Sequence, residues 1–101
     1  MTLQIIRTPR ADREIRAIDF WWRENRPKNP DLFTEELASA MALMACFPNA
    51  GTPVQLRRSQ GVRRFLLSAT RFQVYYMFDA EKQQIAVVTV WSAVGKRGPR
   101  L

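Results

Sequence analysis

The sequence predicts an α+β fold in which two helices pack on one face of an antiparallel sheet. Three observations carry this. Two segments repeat apolar residues at spacings of three and four and are closed by prolines. The pattern switches to a period of two after Val62. One late run, residues 85–91, is apolar on both faces. The order is β-α-α-β-β-β: a strand, an α-helical hairpin, then three strands in a meander.

Residues 3–7 form the first strand, with β-branched Ile5 and Ile6. Thr8 then stands as a helix N-cap and Pro9 takes the first helical position. Ala11, Ile15, Ile18 and Trp22 fall on one helical face, and Pro27 ends the helix near Asn25 or Arg26. Asn29 is read as the cap of the second helix, Pro30 as its opening and Asp31 as a first-turn charge. Phe33, Leu37, Ala40, Met44 and Phe47 form its stripe, widened by Leu32, Met41 and Leu43, and Pro48 closes it. The short connection makes the two helices an antiparallel hairpin. Gly51 and Pro53 mark the turn that follows.

From Val62 the chain is sheet-forming. Phe72, Val74, Tyr76 and Phe78 share one face of a strand; Arg71, Gln73, Tyr75 and Met77 share the other. Residues 79–82 supply a polar turn. In the last strand Ile85, Val87 and Trp91 are assigned one face, and Ala86, Val88 and Val90 the opposite one. A strand apolar on both sides belongs inside the sheet. Because the helices cover a single face, Tyr75, Met77, Val88 and Val90 are expected to lie partly bare on the other, where a partner would cover them.

Size and composition bound the function. A chain of 101 residues fits one domain, residues 1–101. Its 47% hydrophobic and 25% charged content is that of a globular domain, and no apolar run approaches a membrane span. The N-terminus lacks the order of a signal peptide, so a cytoplasmic protein is expected. There is no histidine and a single cysteine, Cys46, which removes Ser-His-Asp and Cys-His catalysis, thiolate metal clusters and internal disulfides. Cys46 is expected to be a buried, inert thiol. No metal or other cofactor, no membrane and no small-molecule substrate is implied. The paired acids Glu35-Glu36 and Asp79-x-Glu81 read as surface and turn charges. A formal charge of +7 favours an acidic partner, whether nucleic acid or protein.

The candidate contacts follow from that charge. Arg63 and Arg64 begin a strand and face opposite sides. Arg71 begins the next strand. Lys96, Arg97 and Arg100 lie in a Gly- and Pro-containing tail without apolar periodicity. Of the adjacent tryptophans, Trp22 is the core residue and Trp21 is left at a rim, about 100° away.

The order of motifs resembles the RelE/ParE superfamily of toxins from bacterial toxin–antitoxin pairs, over nearly the whole chain. The resemblance rests on Trp21-Trp22, Asn29-Pro30-Asp31, Phe33-x-x-Glu36-Leu37 and Phe47-Pro48-x-x-Gly51-x-Pro53. It continues through Gly61-Val62-Arg63-Arg64-Phe65, Arg71-Phe72-Gln73-Val74-Tyr75-Tyr76 and Val90-Trp91-Ser92-Ala93. It implies a toxin neutralised by a cognate antitoxin, in a heterotetramer or larger complex. RelE-like members cut messenger RNA on the ribosome with arginine, lysine and a C-terminal tyrosine. ParE-like members resemble gyrase poisons. Gln73 stands where the ribonuclease pattern has arginine, the tail ends without tyrosine, and Ser92 replaces a histidine common in ParE-like members. Gln cannot neutralise a phosphate, so the resemblance implies the ParE-like mode, with DNA gyrase as target and no catalytic residues. It assigns Arg63, Arg64, Arg71, Lys96, Arg97 and Arg100 to the target, and Trp21, Tyr75, Met77, Val88 and Val90 to the antitoxin. The alternatives are a metal-independent endoribonuclease, which the segment Val94-Gly95-Lys96-Arg97 also resembles, and a non-toxic binding module.

Overall fold

The computed structural model describes residues 3–55, 61–95 and Pro99. Its elements are β1 (Gln4–Arg7), α1 (Pro9–Asn25), α2 (Leu32–Cys46), β2 (Thr52–Pro53), β3 (Val62–Leu67), β4 (Phe72–Asp79) and β5 (Gln84–Ser92). The sheet order is β1-β5-β4-β3-β2. The expected meander is present as β3, β4 and β5, paired antiparallel. Two features were not anticipated. The sheet is mixed, because β1 runs parallel to β5, and a two-residue β2 adds an edge beside β3. No helix is long and apolar enough to cross a membrane among the described residues.

Thr8 joins the first strand to the first helix. Its hydroxyl accepts from the Ala11 N–H at 3.1 Å, capping α1, and donates to the Val88 carbonyl at 3.0 Å. Its own N–H donates to the Val87 carbonyl. The cap thus fixes α1 to β5 where β1 runs out. Glu14, two turns on, accepts from the Thr89 hydroxyl and from the Val90 N–H. It covers the edge of β5 that β1 no longer reaches, which a bare edge donor would otherwise leave unpaired.

The second helix starts later than its sequence suggests, at Leu32 with Asp31 as N-cap. Asn29 and Pro30 belong to the preceding turn. The Asn29 carbonyl is taken by the Trp22 indole N–H at 2.9 Å, and the Asp31 carboxylate by Arg23 at 2.7 Å instead of by its own helix. The bond to Asp31, with smaller help from Asp19, raises the Arg23 pKa.

The core lies between the helices and one sheet face: Ala11, Ile15 and Trp22 from α1, Phe33, Leu37, Ala40 and Met44 from α2, and Leu67, Val74, Tyr76, Ile85, Val87 and Val90 from the sheet. Phe33 meets Phe72 edge-on with ring centroids 5.4 Å apart. Burying one such side chain contributes about 1.5–3 kcal/mol. Phe47 and Leu43, read as part of the second stripe, are exposed, Leu43 at 41%, and so is Cys46, expected to be buried. Phe47 is 62% exposed because α2 has ended before it, and Cys46 is exposed because it sits about 200° around the helix from Met44.

A bulge in β5 changes its faces. Tyr75 pairs with Thr89 and Tyr76 with Val87, so Val88 is the extra residue. Beyond it the alternation shifts by one. Val90 pairs with core-facing Val74 and is 2% exposed, in the core instead of on the open face, and Trp91 pairs with Gln73 on the open face.

Candidate functional site: the open sheet face and a cationic tryptophan pocket

The helices leave one face of the sheet uncovered, and the register states which side chains stand there. Arg64, Tyr75 and Gln73 occupy its middle, with Leu66 and Trp91 opposite Gln73 and Met77 beside Ala86. Ile6 on β1 is in register with Ala86. Ile6, Met77 and Leu66 are each more than a third exposed, and Arg64 is exposed.

Tyr75 is an exception among the residues expected to lie bare, being only 6% exposed. Its hydroxyl donates to the Gln73 side-chain oxygen at 3.2 Å, two residues along the same strand. Arg64 and Thr89 are the register partners of Tyr75 on the flanking strands. Of the five residues assigned to antitoxin, Trp21 and Met77 are exposed, Val88 is half-buried at the bulge, and Tyr75 and Val90 are buried.

The arginines assigned to a target have different surroundings. Arg63 and Arg64 point to opposite faces, as neighbours on a strand must. Arg64 is exposed on the open face. Arg63 is half-buried on the helix side, where its guanidinium donates to the Gly51 carbonyl at 2.7 Å and to the Asn49 carbonyl at 3.4 Å. It clamps the loop after α2. The Tyr76 hydroxyl completes that clamp, donating to the Pro48 carbonyl at 2.9 Å and accepting from the Gly51 N–H at 2.7 Å. Burial raises the Tyr76 pKa; the Gly51 hydrogen bond and the Arg63 charge oppose the shift. The pattern Pro48-x-x-Gly51 and Tyr76 are thus two halves of one knot.

Arg71 opens β4 from a left-handed backbone, φ 67°. Its N–H donates to the Leu67 carbonyl and its carbonyl accepts from the Ala93 N–H. The turn before it hangs from α2: Glu36 accepts from the Ala69 N–H, the Thr70 N–H and the Thr70 hydroxyl at 2.6–3.0 Å. Glu36 is therefore a strut between layers, not the surface charge its sequence context suggested.

This turn forms one wall of a pocket with Trp21, Trp22, Arg26, Phe72, Ser92 and Val94. The Arg26 guanidinium lies 5.4 Å from the Trp21 ring centroid and 5.9 Å from that of Trp22, and the two rings are 6.2 Å apart. Arg26 escaped the sequence reading, although its place four residues after Trp22 brings it over the indoles. Lys96, Arg97 and Arg100 lie outside the described residues. No group of His, Cys, Asp and Glu able to hold a metal occurs among the described residues.

Residues 5–94 match the sequence model of the ParE toxin of type II toxin–antitoxin systems, parDE. The chain belongs to the ParE toxin family. No curated protein matches it. Among solved structures, the fold is similar to a chromosomal ParDE system from P. aeruginosa, with TM-score 0.73 and 16% identity over 90% of this chain and 96% of that one. A RelBE toxin–antitoxin complex from Mycobacterium tuberculosis gives TM-score 0.65 and 15% identity, covering 91% of this chain and 99% of that one. A mutant of the E. coli RelE toxin in the free state gives 0.60 and 17%, covering 95% and 88%. The mixed sheet with its helix pair is thus the α+β RelE/ParE fold.

Proposed function

We propose that this ParE-family chain is a growth-inhibiting toxin that acts by binding DNA gyrase, without covalent chemistry of its own, and is neutralised by a cognate antitoxin. The observation that carries the non-catalytic reading is Gln73. At the centre of the open face it is neutral, and its carbonyl accepts the Tyr75 hydroxyl. Stabilising a phosphoryl transition state without a metal needs several preorganised cationic donors. Of the side chains in register around Gln73 and Tyr75, Arg64 alone is a cation among the described residues.

The antitoxin reading rests on uncovered apolar surface. Phe20 and Trp21 on α1, Leu43 at the α2 groove, and Leu66 and Met77 on the sheet are all exposed. A groove between α2 and β3 is lined by Ser39, Leu43, Phe65 and Leu66. So much bare apolar surface on a small domain marks a binding face, and an amphipathic antitoxin segment fits that groove. Arg64, Arg71 and the tail residues Lys96, Arg97 and Arg100 are proposed as target contacts, and the Arg63 side chain acts through the loop it clamps.

Induction in a bacterial host tests this. Gyrase supercoiling should fall, cleaved DNA–gyrase complexes should accumulate, and cells should filament. Co-expression of the antitoxin should reverse all of it. Primer extension revealing cuts in ribosome-bound message soon after induction, with gyrase unaffected, would instead establish the RelE-like ribonuclease.

A further inference from the structure

We propose that the pocket between Trp21, Arg26, Arg71 and Val94 is a receptor for a carboxylate side chain flanked by apolar residues, on a segment of a partner protein. Two arginines without an acidic partner are brought together in this one pocket. Arg7, Arg10, Arg16 and Arg23 each face a carboxylate of this chain. Arg26 and Arg71 face none among the described residues, although the sequence has 16 basic and 9 acidic residues to arrange.

The geometry also selects the ligand. The Arg26 guanidinium lies within cation–π reach of both indoles, and one of its N–H groups donates to the Asn25 carbonyl. A guanidinium carries five N–H donors in its plane, so its remaining edge suits the two oxygens of a carboxylate. Arg71 also lines the pocket, on a left-handed backbone that glycine would adopt more easily. The lining also offers apolar surface: Phe72, half-exposed Trp21 and Val94, which is 74% exposed. A peptide that places leucine beside glutamate uses both halves. A nucleotide fits less well. Its base would have to displace Arg26 from Trp21 in order to stack, and its phosphate would leave the Val94 wall unused. The inference goes beyond the toxin reading, because it assigns a ligand chemistry and is tested by binding, whether or not the chain inhibits growth.

The test uses the purified full chain and fluorescence anisotropy. One probe is a labelled peptide carrying Leu-Glu-Asp-Leu, another its Leu-Gln-Asn-Leu counterpart, and the third a short single-stranded oligonucleotide. The acidic peptide should bind and quench tryptophan fluorescence. R26Q and R71Q should each weaken it by about tenfold or more, the range for a lost charge-assisted hydrogen bond. R13Q, a change at an exposed arginine on α1 outside the pocket, should change it by less than about twofold. R71G separates side chain from fold: it should keep or raise the melting temperature while losing the peptide. No binding of the acidic peptide, equal binding of the uncharged one, or equal loss in R13Q would overturn the proposal. So would oligonucleotide binding that is tighter than peptide binding and is lost in R26Q and R71Q, which would make the pocket a nucleic-acid site.

Discussion

Replacing Gly51 with alanine should cost the fold about 2–4 kcal/mol, although its backbone demands no glycine-only conformation. The reason is space. A Cβ at this position would sit 2.7 Å from the Tyr76 hydroxyl oxygen, 2.8 Å from its ring and 2.9 Å from the Arg64 carbonyl. The first two contacts belong to a fully buried ring and the third to a strand backbone, so none can retreat cheaply. Overpacking of this kind costs about 1–3 kcal/mol. Pushing the loop outward also strains the Gly51–Tyr76 and Arg63–Gly51 hydrogen bonds, which adds roughly 1 kcal/mol. For a domain this size the sum lowers the melting temperature by roughly 10–25 °C. Circular dichroism melts and urea titrations should agree, with a lower midpoint and an unchanged slope. Deleting the hydroxyl should not rescue the variant, because the contacts to the ring and the Arg64 carbonyl remain. A loss below about 1 kcal/mol, or full rescue in the double variant with Tyr76→Phe, would refute the steric argument.

Tyr76→Phe alone should cost about 1–3 kcal/mol by leaving the buried Gly51 N–H without its partner. It should also change the alkaline limb. The folded Tyr76 pKa is raised, so its contribution is complete below the ordinary tyrosine value near 10 and is lost as pH rises above it; melts across that range should fall more steeply for the native chain than for the variant. Glu36→Ala removes three hydrogen bonds to the β3–β4 turn and should cost about 2–3 kcal/mol, with faster amide exchange at Ala69 and Thr70 as the readout. Thr8→Ala loses both a helix cap and the bond to the Val88 carbonyl; a loss of about 1–2 kcal/mol in urea titration is expected, and Thr8→Ser should retain most of it. Truncation after Val94 should abolish growth inhibition while lowering antitoxin affinity by only about 1 kcal/mol, measured by calorimetry; equal loss of both would assign the tail to the antitoxin.

The helices were legible because their signals are local. Thr8, Pro9 and the spacing from Ala11 to Trp22 define α1 without knowledge of anything it touches. The choice of Trp22 for the core and Trp21 for the rim follows from the same 3.6-residue period. What could not be read locally was set by distant partners. The start of α2 depends on which groups claim Asn29 and Asp31, and those are Trp22 and Arg23 on the other helix. The bulge at Val88 leaves no mark in a run of valines, yet it decides that Val90 is core. Glu36 reads as an ordinary helix carboxylate until the turn at Ala69 and Thr70 is brought beneath it. The candidate site was legible as charge but not as geometry. Arg63 and Arg64 look equivalent in sequence, and only the loop at Gly51 makes one of them a clamp.

The parallel pairing of β1 with β5 bears on when the protein can exist during its synthesis. Gln4 has no strand partner until Gln84 has been made, and α1 cannot be tied down at Thr8 until Val88 is present. At about 5–20 residues per second, roughly 4–16 s separate the two ends of that ladder on the ribosome. During this interval the first strand and first helix lack the surface they pack on, and contacts of such long sequence separation form late. A nascent or prematurely terminated chain therefore presents neither the open face nor the tryptophan pocket. Whatever this domain does begins only once β5 has been made, so whatever restrains it needs to be in place by that moment and no earlier.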